Sequence, residues 1–139
     1  MDLINELENE FNALSESKPP AVITLRSETR EYEIRLPQLG KDFIVGLWSK
    51  GVIVFPIGNV SEIRSASLPL RIDLTLEDFL DRQRLPVRIR LRSMQPVGEC
   101  WLLNSKEGWL RVAISQGVSW IPLSAVQSLE ILAVDNLNR

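Results

Sequence analysis

Gly51-Val52-Ile53-Val54-Phe55-Pro56-Ile57-Gly58-Asn59-Val60 and Gly117-Val118-Ser119-Trp120-Ile121-Pro122-Leu123-Ser124-Ala125-Val126 carry one pattern twice, 66 residues apart. Each opens on a glycine suited to a turn and continues as a short apolar run. A proline then ends the run, because it cannot donate to a sheet ladder, and a valine starts the next strand. Extending the same offset outward pairs Pro20, Ile23, Leu25, Arg26, Ser27, Glu33, Leu36 and Ser49 with Pro86, Ile89, Leu91, Arg92, Ser93, Glu99, Leu102 and Ser115. The two halves share 12 identities over the 44 positions from Pro20 to Ile63. Duplication of one small β unit is the expected origin, and a repeat of this kind sets the architecture before any local reading does.

Working outward, the period is two from Ala21 onward. Strands are predicted over Val22–Arg26, Glu31–Leu36, Phe43–Trp48, Val52–Phe55 and Val60–Ile63. In the second of these Tyr32, Ile34 and Leu36 face one way and Glu31, Glu33 and Arg35 the other. The second unit repeats the plan over Val87–Ser93, Glu99–Leu103, Trp109–Ser115, Val118–Ile121 and Val126–Ile131. Each unit is expected to open with a helix. Ile4, Leu7, Phe11 and Leu14 recur at spacings of three and four behind Asp2, and Lys18-Pro19-Pro20 stops that run. Thr75-Leu76-Glu77-Asp78 is a loose capping box opening a helix to about Arg84, with Leu76, Phe79 and Leu80 as its apolar face. The residues from Arg64 to Arg71 form the linker, and Asp135 to Arg139 the frayed end. The domain reading is 1–65 and 66–139, each a helix followed by a five-stranded unit.

Units of this size bury too little surface to be stable alone, so the two are expected to pack together or on another chain. The chain has 139 residues and a formal net charge of −2, so no global basic field draws it to nucleic acid or anionic lipid. Its start is acidic (Asp2, Glu6, Glu8, Glu10), unlike a signal peptide, and the longest apolar run, Val52 to Ile57, is far too short to span a bilayer. A single cysteine, Cys100, makes no intrachain disulfide. These features read as cytoplasmic, with no membrane partner. The chain holds no histidine, which excludes Ser-His-Asp and Cys-His nucleophile systems and the usual zinc sites. No phosphate-loop glycine spacing exists. A non-catalytic protein without cofactor or metal is the expectation.

A short helix, five short strands and a one-turn corner between the fourth and fifth resemble the Sm-like and SH3-like small barrels, on the two segments quoted at the outset. The second unit, Leu80 through Leu129, is also similar to a group of uncharacterised actinobacterial proteins. They share a strand like Pro86-Val87-Arg88-Ile89-Arg90-Leu91, a Gly108-Trp109-Leu110 strand and the Ile121-Pro122-Leu123-Ser124-Ala125-Val126 corner. The resemblance implies a mainly β fold of two tandem five-stranded barrels and carries no activity. Asp42 precedes its strand and no Met-Asn pair comes after it, so the base recognition of the Sm family is not carried over.

Two surfaces stand out as candidate sites. Arg88, Arg90 and Arg92 alternate along one strand, and the segment 82–111, with Arg82, Arg84, Lys106 and Arg111, holds seven cations against Glu99 and Glu107, a net +5. Guanidinium forks suit phosphates, so RNA or DNA could bind here, with Trp101 stacking. The other reading of that stripe is a solvated face whose charges discourage edge pairing. Trp109 and Trp120 align with the apolar Phe43 and Val54 and are expected in the core or between the units. Trp101 aligns with Arg35, a position polar in one copy and aromatic in the other, and is the candidate if any tryptophan is exposed and functional. The second surface is the strand pair Val52, Ile53, Val54, Phe55 and its counterpart Val118, Trp120. The fourth and fifth strands of such a unit are natural edges, so these residues are the candidate interface, for an unknown protein partner or self-association. The alternative is that the second unit covers the first internally. Glu31 and Glu33 read as surface ion-pairing groups, and Cys100, aligned with Ile34, as a buried small hydrophobe. The leading reading is a protein-interaction or assembly adaptor using strand edges, and the runner-up a nucleic-acid binder.

Overall fold

The computed structural model describes residues 19–28, 30–49, 51–81, 86–93 and 96–132. The first half contains β1 (Val22–Ser27), β2 (Glu31–Leu39), β3 (Phe43–Trp48), β4 (Gly51–Pro56) and β5 (Val60–Arg64). A two-residue strand, β6 (Leu70–Arg71), and a helix, α1 (Leu76–Asp81), lead into the second half. That half comprises β7 (Pro86–Leu91), β8 (Pro96–Lys106), β9 (Trp109–Ile114), β10 (Gly117–Pro122) and β11 (Val126–Ile131). β3, β4 and the short 3-10 turn Ile57–Asn59 have counterparts at the 66-residue offset in β9, β10 and the turn Leu123–Ala125, bound for bound. The expected N-terminal helix, Lys50, Arg82, Arg84 and the C-terminal tail lie outside the described residues.

All these strands belong to one mainly antiparallel sheet ordered β10-β9-β8-β7-β11-β4-β3-β2-β1-β5, with β6 paired in parallel to β2. Both halves share the same neighbour order, fourth-third-second-first-fifth. The expectation of two units with separate sheets gives way to a single open one. β11 pairs with β4 through Leu129↔Val54, Glu130↔Ile53 and Ile131↔Val52, so the hydrogen-bond ladder crosses the boundary between halves. An apolar edge strand left unpaired invites such a partner, and here the chain supplies its own.

β4 is apolar on both faces because both faces are covered. Ile53 and Phe55 join Ile23, Leu25, Tyr32, Ile34 and Ile44 in one core cluster. Val54, with Phe43 and Val45, faces the other way into a cluster built from α1 and the second half, including Leu80, Ile89, Leu110 and Leu129. α1 is held at its start by two side chains. Asp78 N–H donates to Thr75 Oγ1 at 3.2 Å, the N-cap half of the expected box, and Leu76 N–H donates to Asp42 Oδ1 at 2.7 Å.

Two features depart from the strand reading. Leu36, expected on the inner face, is 63% exposed. β2 shifts register between Arg35 and Gln38, and Leu36 takes a left-handed φ of 49°, so the alternation breaks there. β6 falls within the stretch read as linker, and its two residues are too few to leave a periodic signal.

Polar contacts also cross the seam. Asn59 Nδ2 donates to Val126 O, Gln127 Nε2 donates to Ser27 Oγ at 3.0 Å, and Arg92 pairs with Glu28. Asn59 is buried in its 3-10 turn. Asn59→Ala is therefore expected to lower stability by about 1–3 kcal/mol, the cost of a buried acceptor losing its donor; urea denaturation measures it.

Candidate functional site: a free sheet edge beside a tryptophan-rich face

The outer face of β8, β9 and β10 is set by alternation. Leu110 and Val112 are fully buried, so Trp109, Arg111 and Ala113 point outward. On one side of β9 the register sets Val118 opposite Ala113, Trp120 opposite Arg111 and Pro122 opposite Trp109. On the other side it sets Trp101 opposite Ala113, Asn104 opposite Arg111 and Lys106 opposite Trp109, with a bulge between Leu102 and Asn104. Cross-strand partners share a face. Trp101, Trp109, Val118 and Trp120 thus lie on one surface and are 45–57% exposed. The Arg111 guanidinium lies 5.8 Å from the centre of the Trp120 ring, a cation–π contact. Its Nε is shielded from solvent and has no hydrogen-bond partner among the described residues.

Among the described residues β10 pairs only with β9 and is one end of the sheet. Antiparallel partners alternate between hydrogen-bonded and non-hydrogen-bonded pairs. Pro122 has no N–H and fits the second class opposite Trp109, which puts Trp120 and Val118 in that class too. Their backbone N–H and C=O groups therefore point away from β9, along the open edge. The same logic applied to β4, from Pro56 opposite Phe43, puts the outward groups on Val54 and Val52. Those are two of the residues that β11 matches.

The tryptophan positions correct the sequence reading. Phe43 and Val54 are buried and Val52 partly buried against α1 and the second half, whereas no described strand or helix packs over their counterparts Trp109, Val118 and Trp120, which stay 45–57% exposed. The alignment located apolar positions, but those of the first half are covered by α1 and the second half, and no described element does the same for their counterparts. Trp101 is exposed too, to the same degree as Trp109 and Trp120. Of the candidate interface, Val52, Ile53, Val54 and Phe55 form the internal seam, and Val118 and Trp120 remain at the surface. Comparison with family models, curated proteins and solved structures found no match.

The arginine stripe is divided in the fold. Arg88 is ion-paired to both Glu99 at 3.0 Å and Glu130 at 3.1 Å, and Arg92 to Glu28. Arg88 and Arg90 line a seam groove of about 430 Å³ together with Arg30, Trp48, Glu130 and Ile131. Arg30 stacks over Trp48 at 5.2 Å and was not singled out from the sequence, since the turn between β1 and β2 gave no hint that it meets the other half. Lys106 and Arg111 belong to the tryptophan face instead. Glu31 pairs with Arg26 at 2.5 Å, which holds its carboxyl below the usual range through the hydrogen bond first and the charge second. Cys100 is buried, and burial pushes its thiol up, away from reactivity. No group of three His, Cys, Asp or Glu side chains gathers among the described residues, and no helix there is long and apolar enough to cross a membrane.

Proposed function

We propose that this chain is a non-catalytic cytoplasmic assembly module built as two tandem Sm/SH3-like small barrels, residues 1–65 and 66–139, that takes a protein partner along β10. The repeated strand order and the matching one-turn corners support the tandem-barrel reading. One observation carries the binding reading: Trp109, Val118 and Trp120 are exposed at a strand edge with no partner among the described residues, where their counterparts Phe43 and Val54 are buried and Val52 is partly buried. A strand added to β10 would satisfy the free backbone groups and cover these side chains. Burying each large side chain contributes about 1.5–3 kcal/mol. The test is a photo-crosslinking amino acid placed at Val118 in the native cell, with Glu33 as the exposed control. A covalent protein adduct that survives nuclease is expected at 118 and none at 33; an unmodified chain at both positions overturns the reading.

A second reading, contact with RNA or DNA phosphates, is favoured by the seam groove, which Arg30 and Arg90 line together with Trp48. Arg30, Arg90, Lys106 and Arg111 have no ion-pair partner among the described residues, whereas Arg88 and Arg92 are engaged. With those four cations free, single-stranded RNA affinity should fall with salt at a log–log slope no steeper than about −3. A filter-binding series across salt concentrations measures it, and Arg30→Ala with Arg90→Ala should flatten it.

A further inference from the structure

We infer that the occupant of β10 is β5 of a second copy of this chain, joined in the register of the internal seam; this rests on the strand-edge reading above. Among the described residues the sheet has two unlike ends, β10 and β5. At the 66-residue offset β10 is the counterpart of β4, and β5 the counterpart of β11. The ladder that joins the halves is β4 with β11. The two free ends are thus the same two kinds of edge, each lacking the partner that the other supplies.

Translating the seam register by the offset specifies the contact. Leu129↔Val54, Glu130↔Ile53 and Ile131↔Val52 become Ile63 opposite Trp120, Arg64 opposite Ser119 and Ser65 opposite Val118. At the seam, Val54 enters the core of the half that supplies β11. At the new junction Trp120 enters the core cluster of the next copy, against which Ile63 and Val60 already pack. Phe43 meets Phe79 of α1 across the seam, ring centres 5.1 Å apart, and Trp109 holds the corresponding place. Because the two edges differ, the contact is head-to-tail, and copies add until a ring closes or a filament grows.

The register makes the test specific. Ser119 and Arg64 fall in a non-hydrogen-bonded pair, with Cα atoms about 4.5 Å apart, inside the range a disulfide spans. Full-length Ser119→Cys and Arg64→Cys proteins are mixed and oxidised with copper phenanthroline; buried Cys100 stays silent. The mixture should give a covalent species at twice the 15.8 kDa chain mass, and neither variant alone should. Sedimentation of the unmodified chain should give a multiple of that mass, falling to one chain for Trp120→Lys with its thermal melt retained. A dimer from Ser119→Cys alone would mean two like edges meet, and overturns the head-to-tail contact. An unmodified chain that sediments as a monomer with β10 amides protected from exchange would mean the chain covers its own edge, and overturns it too. A monomer that still gives the Val118 adduct with a different protein overturns self-association while the strand-edge reading stands. A monomer without that adduct ends both.

Discussion

Phe43→Ala is expected to lower the free energy of unfolding by about 3–5 kcal/mol, the range for removing a buried aromatic side chain. Phe43 is fully buried and shares a cluster with Leu76 and Leu80 of α1 and with β7, β8, β9 and β11. It therefore contributes to three bodies at once: its own half, the helix and the second half. The loss should not be local. Because the β4·β11 ladder crosses the boundary, weakening the seam should be felt in both halves, and the transition should remain single. Urea unfolding monitored by tryptophan fluorescence gives the magnitude. Labelling of buried Cys100 reports the second half independently, and its rate should rise in step. A drop below about 1 kcal/mol, or a first half that unfolds while Cys100 stays protected, would show that the halves are not coupled in this way.

Gly46→Val is expected to be as damaging for the opposite reason. A Cβ at Gly46 would stand 2.3 Å from Ile34 Cγ2 and 2.9 Å from the Arg35 carbonyl oxygen. The side chain could turn, but the carbonyl belongs to β2, whose backbone crowds β3 here. Overpacking of this kind costs typically 1–3 kcal/mol and occasionally more; with backbone as the obstacle the expected loss is about 3 kcal/mol. The counterpart at the offset is Val112, fully buried in β9. One structural position thus takes a glycine in one half and a valine in the other, although the neighbouring strand shifts register beside it in both. Val112→Gly should also destabilise, through a cavity, and thermal melts of both variants compare the two penalties directly.

The strand plan was legible because its signals are local. Phe43–Trp48 and Val126–Ile131 match β3 and β11 at both ends, since alternation and the flanking turn residues agree there. The two-faced character of Val52 to Phe55 was readable as well, because an apolar run with both parities filled has to be covered on both sides. Leu36 failed the alternation since a bulge depends on a neighbouring strand rather than on its own sequence. Trp109 and Trp120 failed because the offset transfers chemistry and not cover. Arg88, read as part of a free stripe, is held by Glu130 from β11, a strand 42 residues further along the chain. The seam groove, which joins Arg30 to Arg90, could be seen only once the two halves were placed side by side.

The two-residue strand β6 has a consequence for how larger bodies could form. It ties Leu70 and Arg71 to Gln38 and Leu39 of β2, and Ile72 N–H donates to the Leu39 carbonyl at 2.9 Å. The connector is therefore stitched to the first half just before it departs for the second, leaving only Ser65 to Pro69 between anchored points. Two molecules trading their second halves have only the short run after Arg71 to hinge on, and must also break the contacts of Ile72 and Leu76 with the first half. Growth should proceed by recruiting intact molecules, each keeping its own halves together.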